Sequence, residues 1–207
     1  SRIRDPWFAA SKPGTVGRPI PGVAVKVKDL ETDEDLGLGQ PGMLWVKGPN
    51  VMKGYWYEPE QTAAVVRDGW YRTGDLALLD ADGFITITGR LSRFSKIAGE
   101  MVPHLAVEEQ IGRVEQSGEE DALTFAVTGV PDERKGERLV VLFTELRNSP
   151  EAIVAALQES DLPPLWIPSA DSFYRVEAVP VLGTGKLDLK ALKDLAMACV
   201  AAETRRV

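Results

Sequence analysis

Apolar and polar residues alternate with a period of two through much of the first ninety positions. Residues 23–28 are Val-Ala-Val-Lys-Val-Lys, and residues 42–48 form a second short apolar run. Residues 76–80 and 84–88 are two further runs, separated by Ala-Asp-Gly. Alternation over a short stretch is typical of a half-buried strand, and an Asp-Gly pair suits a tight turn that needs a positive φ. This half is therefore predicted to be a small antiparallel β-assembly.

Strands and helices alternate in the second half. Residues 123–130, 139–144 and 173–178 are apolar runs of strand length. Signals for the start of a helix occur at Pro103, Ser149 and Asp188, because proline fits a first turn and Ser or Asp caps the first amides. The last of these helices is expected to present an apolar face formed by Leu192, Leu195 and Cys199.

The predicted elements change from strands and turns to alternating strands and helices between Gly89 and Gly99, and we place a domain boundary there. The predicted fold class is α+β. A small antiparallel β-rich subdomain would occupy residues 1–91, and a compact α/β domain would occupy residues 92–207.

Composition excludes several classes of function. The 207 residues include 24 Lys and Arg against 31 Asp and Glu, and this net charge of −7 argues against nucleic acid as a partner of the whole surface. The single cysteine excludes an intrachain disulfide and a Cys-rich zinc site, and no metal ligands are assigned. No apolar run approaches the roughly 20 residues of a membrane helix. Because the sequence lacks an initiator Met and a signal-peptide core, we interpret it as a piece of a longer chain or a processed product.

Three segments carry candidate chemistry. In residues 69–75, Gly-Trp-Tyr-Arg-Thr-Gly-Asp, a Thr-Gly turn would place a carboxylate at the edge of the β-assembly, where it could accept both hydroxyls of a ribose. Residues 89–100 carry three cations at the domain boundary, and residues 180–186 present a lysine on a Gly-Thr-Gly loop. Taken singly, the three segments suit, in order, a plain turn, a solvated linker and the turn before a helix. His104, the only histidine, is expected to be a surface residue rather than a catalyst.

In this order and spacing, the three segments resemble motifs of the adenylate-forming family, which contains acyl- and aryl-CoA synthetases, luciferases and peptide-synthetase adenylation domains. Residues 69–75 resemble its ribose-binding motif, Gly-Arg followed by Lys-Ile-x-Gly resembles its hinge motif, and Pro-x-x-x-x-Gly-Lys resembles its catalytic lysine motif. Residues 96–102 are closer still to one bacterial branch, acyl-acyl-carrier-protein synthetase/2-acylglycerophosphoethanolamine acyltransferase.

The resemblance covers only the end of such an enzyme. It implies that residues 1–91 are the last subdomain of the large AMP-binding domain and that residues 92–207 are the mobile C-terminal domain. The family's phosphate loop, which is absent from this sequence, would lie upstream, so the chain alone is expected to be inactive. The site residues implied by the resemblance are Asp75, Arg90, Lys96 and Gly99 for nucleotide and acceptor, Ser92 for the hinge, and Lys186 for catalysis.

Each implied residue has a role. Asp75 would hold the ribose hydroxyls of ATP or AMP, and Arg90 would contact the ribose or phosphate edge. Lys186 would bridge the acyl carboxylate and the α-phosphate, and Gly99 would line the pantetheine channel, with Lys96 facing the nucleotide in that second state. Ser92 stands where the family usually has Asp or Lys.

The implied reaction is the ATP-dependent adenylation of a fatty acid, followed by acyl transfer to the pantetheine thiol of acyl-carrier protein. Mg²⁺ would be bound mostly by the upstream part. The protein would act in the cytoplasm or at the cytoplasmic face of the inner membrane, within a bifunctional lysophospholipid acyltransferase. The alternatives are free CoA as the acceptor, and a non-catalytic module that binds a nucleotide or a carrier protein.

A basic patch formed by Arg93, Arg134, Lys135 and Arg138 could meet an acidic carrier protein, or could be a mixed-charge solvated loop.

Overall fold

The computed structural model describes residues 11–116 and 123–204. The chain divides into two compact units, one extending to Leu91 and the other beginning at Ser92. Both units combine sheet and helix, and the α+β prediction is confirmed.

The first unit is built on one antiparallel sheet. Its elements are β1 (Ala24–Lys28), β2 (Gly42–Lys47), α1 (Pro59–Val65), β3 (Val66–Arg67), β4 (Trp70–Leu79) and β5 (Ile85–Arg90). The strand order is β1-β2-β4-β3, and β5 also pairs with β4. The predicted hairpin forms between β4 and β5. Oδ1 of Asp80 accepts hydrogen bonds from the backbone N–H groups of Asp82 and Phe84, and Gly83 has a φ of +81°.

Strand β4 contains the segment for which the sequence predicted a turn. The Thr-Gly pair lies inside the strand, where the pairing of β4 with β2 is irregular. Met43 pairs with Leu76 and Trp45 with Arg72, so three residues of β4 stand opposite one residue of β2. Gly74 has a φ of +81°, which a bulge accommodates without ending the strand. Asp75 therefore lies in the body of a central strand and not at the sheet edge, contrary to the prediction.

The second unit is a mixed sheet covered by three helices. Its elements are β6 (Phe94–Ile97), β7 (Glu100–Pro103), α2 (His104–Glu115), β8 (Phe125–Asp132), β9 (Gly136–Phe143), α3 (Pro150–Gln158), β10 (Phe173–Arg175) and α4 (Leu189–Thr204). The order is β10-β9-β6-β7, with β8 on β9. Only β10 runs parallel to its neighbour among the strands described.

Strands β8 and β9 are buried on both faces, which explains their nearly continuous apolar sequences. On one face, Val127 and Val141 belong to a core cluster with residues of α2 and α3. On the other face, Val140 and Leu142 pack with Leu192 of α4.

The helices begin at the residues that carry capping signals. The Ser149 hydroxyl accepts a hydrogen bond from the Ala152 N–H, and Oδ1 of Asp188 accepts two from the first turn of α4. Pro103 differs slightly from the prediction, because it ends β7 and α2 begins at the next residue. The predicted apolar face of α4 is confirmed: its residues Leu192, Leu195 and Cys199 all pack into one cluster. In the part of the chain that the structure describes, no helix is both long and apolar enough to span a bilayer.

Candidate functional site

Asp75 and Arg90 form an ion pair between adjacent strands. They are direct register partners on β4 and β5, and Nε of Arg90 donates a 2.7 Å hydrogen bond to Oδ1 of Asp75. The Asp75 side chain is 25% exposed and that of Arg90 is 65% exposed. Within the described residues no donor lies at hydrogen-bonding distance from Oδ2 of Asp75. The carboxylate is thus held by one cation and keeps an oxygen with which to accept a further hydrogen bond.

The bulge determines where this carboxylate lies. The Asp75 N–H donates to Oγ1 of Thr73 at 3.0 Å, and the same hydroxyl donates to the Leu44 carbonyl of β2 at 2.9 Å. Thr73 therefore ties the irregular part of β4 to its neighbouring strand. This explains why a Thr-Gly pair precedes the carboxylate in the candidate motif.

Tyr71 lies near Asp75, and Tyr55 lies near Tyr71. Neither tyrosine had an expected role. Burial raises the pKa of Tyr71, and its hydrogen bond with Tyr55 and the charge of Asp75 raise that pKa further. Tyr55 is partly exposed, and its backbone N–H is held by Oγ1 of Thr62 at 2.9 Å. The carboxylate thus stands near an aromatic side chain, a combination suited to a nucleoside. A signal for Tyr71 was present, because this residue belongs to the Gly-Trp-Tyr-Arg-Thr-Gly-Asp segment of residues 69–75.

The boundary between the two units falls within a 3-10 turn, Leu91–Arg93, in which Ser92 is exposed. Nη2 of Arg93 pairs with Oε2 of Glu108 on α2, and both side chains are less than 20% exposed. The other oxygen of Glu108 accepts from the Val127 N–H at 2.7 Å. Arg93 is thus engaged inside its own unit and does not contribute a surface charge to the predicted basic patch.

His104 is buried, contrary to the prediction. It is 2% exposed, and its Nε2 lies 2.8 Å from Oγ of Ser95, which is equally buried. Burial lowers the pKa of His104 to about 3, helped by the positive charges of Arg93 and Lys193. The imidazole is therefore neutral at pH 7. Its burial follows from its place at the start of α2, where it meets β6 and the Ser95 hydroxyl.

Lys96 and Gly99 lie on the hairpin between β6 and β7. The two turn residues, Ala98 and Gly99, have φ values of +49° and +89°. An added Cβ on Gly99 would meet nothing within 4 Å, so the backbone is open on that side. The Lys96 side chain is exposed, and its backbone N–H donates to Oε2 of Glu137 at 2.8 Å.

Lys186 stands on a hydrogen-bonded loop that precedes α4. Val181 and Leu187 form a bridge at the base of the loop, and the Lys186 carbonyl accepts from the Leu182 N–H at 2.7 Å. Gly185 takes a φ of +79° beside the lysine. The loop holds its backbone in a defined turn and leaves the Lys186 side chain exposed.

The basic patch is reduced to the turn between β8 and β9. Arg134 and Lys135 are exposed, and their backbone N–H groups both donate to Oδ1 of Asp132 at 2.9 Å. These hydrogen bonds hold the pKa of Asp132 below its usual value. Arg138 is half-buried, with Nη1 3.3 Å from Oγ of Ser172.

The structure brings only some of the candidate site residues into contact with one another. Asp75 and Arg90 are in contact within the first unit, and Lys96 and Gly99 share one hairpin of the second. No group of three His, Cys, Asp or Glu side chains that could hold a metal ion occurs in residues 11–116 and 123–204.

Comparisons with known proteins point to a single family. The family model described as AMP-binding enzyme matches residues 4–56. A long-chain-fatty-acid–CoA ligase of Yersinia pestis is 32% identical over 192 residues, which is 92% of this chain and 33% of that protein. A long-chain-fatty-acid–CoA ligase of Bacillus subtilis is 36% identical over 183 residues, which is 87% of this chain and 31% of that protein. The chain spans about a third of the length of these relatives.

Matching solved structures include complexes with ATP and with an acyl-adenylate. ATP-bound MatB from Rhodopseudomonas palustris matches with a TM-score of 0.66 at 31% identity, over 88% of this chain and 36% of that one. o-Succinylbenzoate CoA synthetase (MenE) from Bacillus subtilis, in complex with the acyl-adenylate intermediate OSB-AMP, also matches with a TM-score of 0.66, at 26% identity over 91% of this chain and 37% of that one.

Proposed function

Because this chain belongs to the adenylate-forming family and matches its C-terminal region, we propose that it is the C-terminal part of an ATP-dependent fatty-acid ligase. Residues 1–91 are proposed as the last subdomain of the AMP-binding domain, and residues 92–207 as the mobile C-terminal domain. The observation that carries the proposal is the Asp75 carboxylate, which is oriented by Arg90 and lies near Tyr71.

The proposed reaction has two steps. An oxygen of the fatty-acid carboxylate attacks the α-phosphorus of ATP, a new O–P bond forms, the bond between the α-phosphorus and the bridging oxygen breaks, and pyrophosphate leaves. A thiol then attacks the acyl carbon, gives up its proton to solvent, and displaces AMP. In both steps Asp75 would accept hydrogen bonds from the ribose hydroxyls, and Arg90 would face the ribose or phosphate edge.

The first step brings two anions together, and this defines the role of Lys186. A carboxylate and an α-phosphate repel each other, so a cation placed between them stabilises the transition state. The exposed Lys186 side chain on its ordered loop is proposed to supply that charge. Mg²⁺, which would be held mostly by the upstream part of the enzyme, would supply further positive charge beside the phosphates.

The second step needs a different surface. Gly99, with no side chain and an open backbone, is proposed to line the path of a pantetheine thiol, and Lys96 to face the nucleotide in this state. A rotation at Ser92 would exchange the surface carrying Lys186 for the surface carrying Gly99.

The acceptor is proposed to be acyl-carrier protein, on the resemblance of residues 96–102 to the carrier-protein branch and on the exposed cations Arg134 and Lys135. Free CoA is the second candidate, because the relatives are CoA ligases. A lysophospholipid acyltransferase activity would belong to the same bifunctional enzyme.

The test uses the complete enzyme that contains this chain. Fatty-acid-dependent exchange of pyrophosphate into ATP reports the first step, and thioester formation with carrier protein or with CoA reports the second. We expect exchange with fatty acid, and faster thioester formation with carrier protein. Absence of exchange would overturn the proposal, and a preference for CoA would select the second candidate. Acyl transfer to 2-acylglycerophosphoethanolamine, measured in the same preparation, decides the bifunctional assignment.

A further inference from the structure

The hairpin of β6 and β7, which carries Gly99, is joined to the rest of its sheet by a very short stretch of strand pairing. Strand β6 pairs with β9 at one register position, Ile97 opposite Gly136. The Ala98 N–H donates to the Lys135 carbonyl at 2.8 Å, just beyond that position. On the other side of it, the Lys96 N–H donates to Oε2 of Glu137 at 2.8 Å. A side-chain carboxylate of β9 thus also holds the hairpin beside this register position.

Gly129 of β8 makes room for this attachment. A Cβ at Gly129 would lie 1.8 Å from Oγ of Ser95 and 3.6 Å from the carboxyl carbon of Glu137. The missing side chain lets the Ser95 hydroxyl and the Glu137 carboxylate approach β8 together. Ser95 in turn contacts His104, so the base of the hairpin is fixed at two successive residues of β6.

The tip of the hairpin is held in a strained conformation. Ala98 has a φ of +49°, which costs a residue with a Cβ on the order of 1 kcal/mol and persists only where the surroundings impose it. Beyond the tip, Oε1 of Glu100 accepts a 2.9 Å hydrogen bond from Nε1 of Trp166. The open backbone of Gly99 therefore lies between one anchor at Glu137 and another at Trp166.

We infer that Glu137 is a positioning residue for the thioester step, because it holds the hairpin that presents Gly99 to the incoming thiol. This inference rests on the proposed function. The other oxygen of Glu137 accepts from Nζ of Lys193 on α4 at 3.3 Å, so the same carboxylate is shared with the helix that follows the Lys186 loop. The Lys193 side chain is 46% exposed, and its contact joins α4, not the hairpin, to Glu137.

The experiment compares three variants of the complete enzyme. Glu137→Ala removes the acceptor for the Lys96 N–H, Glu137→Gln keeps an acceptor oxygen, and Lys193→Ala removes only the second contact. With preformed acyl-adenylate, we expect Glu137→Ala to raise KM for the thiol acceptor about tenfold. Pyrophosphate exchange should stay within about twofold of wild type. Glu137→Gln and Lys193→Ala should both remain close to wild type in the thioester step.

A general structural role predicts a different result, in which Glu137→Ala lowers both half-reactions together. That result, or an unchanged KM, would overturn the inference. A wild-type enzyme without either half-reaction would instead overturn the proposed function. The attachment is then tested in the 207-residue chain by amide hydrogen exchange at Lys96. Faster exchange in Glu137→Ala but not in Glu137→Gln supports the positioning role of Glu137 for the hairpin, and equal exchange in all three chains refutes it.

Discussion

Nε of Arg90 donates a 2.7 Å hydrogen bond to Oδ1 of Asp75, the residue directly opposite it on the neighbouring strand. Because the arginine side chain is 65% exposed, this pair contributes at most about 1 kcal/mol to stability. Its consequence is geometric, since it orients a carboxylate that the bulge at Gly74 has already placed in the body of the sheet. The remaining oxygen can then bind a hydroxyl group.

Replacing Asp75 tests this arrangement directly. Asp75→Ala in the complete enzyme should raise KM for ATP about tenfold or more, because a ribose hydroxyl would lose its acceptor. Asp75→Asn keeps one acceptor oxygen and should show a smaller increase. Steady-state kinetics with varied ATP measures both. An unchanged KM for ATP in Asp75→Ala would show that Asp75 does not bind the ribose.

Lys186→Ala should separate the two half-reactions. Removing one preorganised charge from a transition state costs on the order of 3 kcal/mol, so pyrophosphate exchange should fall about a hundredfold or more. Thioester formation from supplied acyl-adenylate should be largely retained. Lys190→Ala, on the first turn of α4, is the matched control and should leave both steps near wild type. Equal losses in the two steps of Lys186→Ala would remove the lysine from its proposed role.

Ser92→Pro should restrict the proposed hinge. Proline fixes φ near −65°, which suits a 3-10 turn, but it disfavours helical backbone at the preceding Leu91. We expect the variant to fold, because Ser92 is exposed, and to lose the thioester step much more than adenylation. Ser92→Ala, which leaves the backbone free to rotate, is the control. If both half-reactions of Ser92→Pro fall together, or neither changes, the pivot lies elsewhere.

The exposed turn between β8 and β9 is expected to act on the rate of association with a carrier protein. Charge reversal by Arg134→Glu and Lys135→Glu together should raise KM for carrier protein several-fold at low salt and have little effect at high salt, because exposed charges are screened. Lys53→Glu and Arg67→Glu together, at exposed positions of the first unit, control for the change in net charge. Matching salt curves for the variant and the wild-type enzyme would count against the patch.

His104 makes the stability of the protein depend on pH. Its folded-state pKa is about 3, below the ordinary value of 6.5, so the unfolded chain binds the extra proton as the pH falls. The contribution of neutral, buried His104 to the free energy of unfolding is fully present above pH 6.5. It is lost progressively between pH 6.5 and pH 3. From pH 7.5 to pH 5.5, the loss should be about 1.4 kcal/mol.

Urea unfolding of the wild-type chain and of His104→Gln at these two pH values measures this contribution. The glutamine keeps a polar partner for Ser95 but does not titrate, so its free energy of unfolding should fall by about 1.4 kcal/mol less over the same interval. Parallel pH profiles for the two chains would show that His104 does not titrate as its burial requires.

Sequence by itself determined the elements whose signals are local. The alternation in residues 23–28 predicted a half-buried strand, and the capping signals at Ser149 and Asp188 correctly placed the starts of two helices. A strand pattern and a helix cap each involve residues within a few positions of one another. For this reason they can be recognised before any tertiary contact is known.

Tertiary structure alone decided which of these elements meet. Three contacts join residues that lie 9, 15 and 41 positions apart in the sequence. They are buried His104 with Ser95, Arg93 with Glu108, and the Lys96 N–H with Glu137. No local pattern encodes such partners, because each contact depends on how whole strands and helices pack. The same reason explains Asp75: its sequence suggested an edge, and pairing with strands on both sides of β4 placed it inside the sheet.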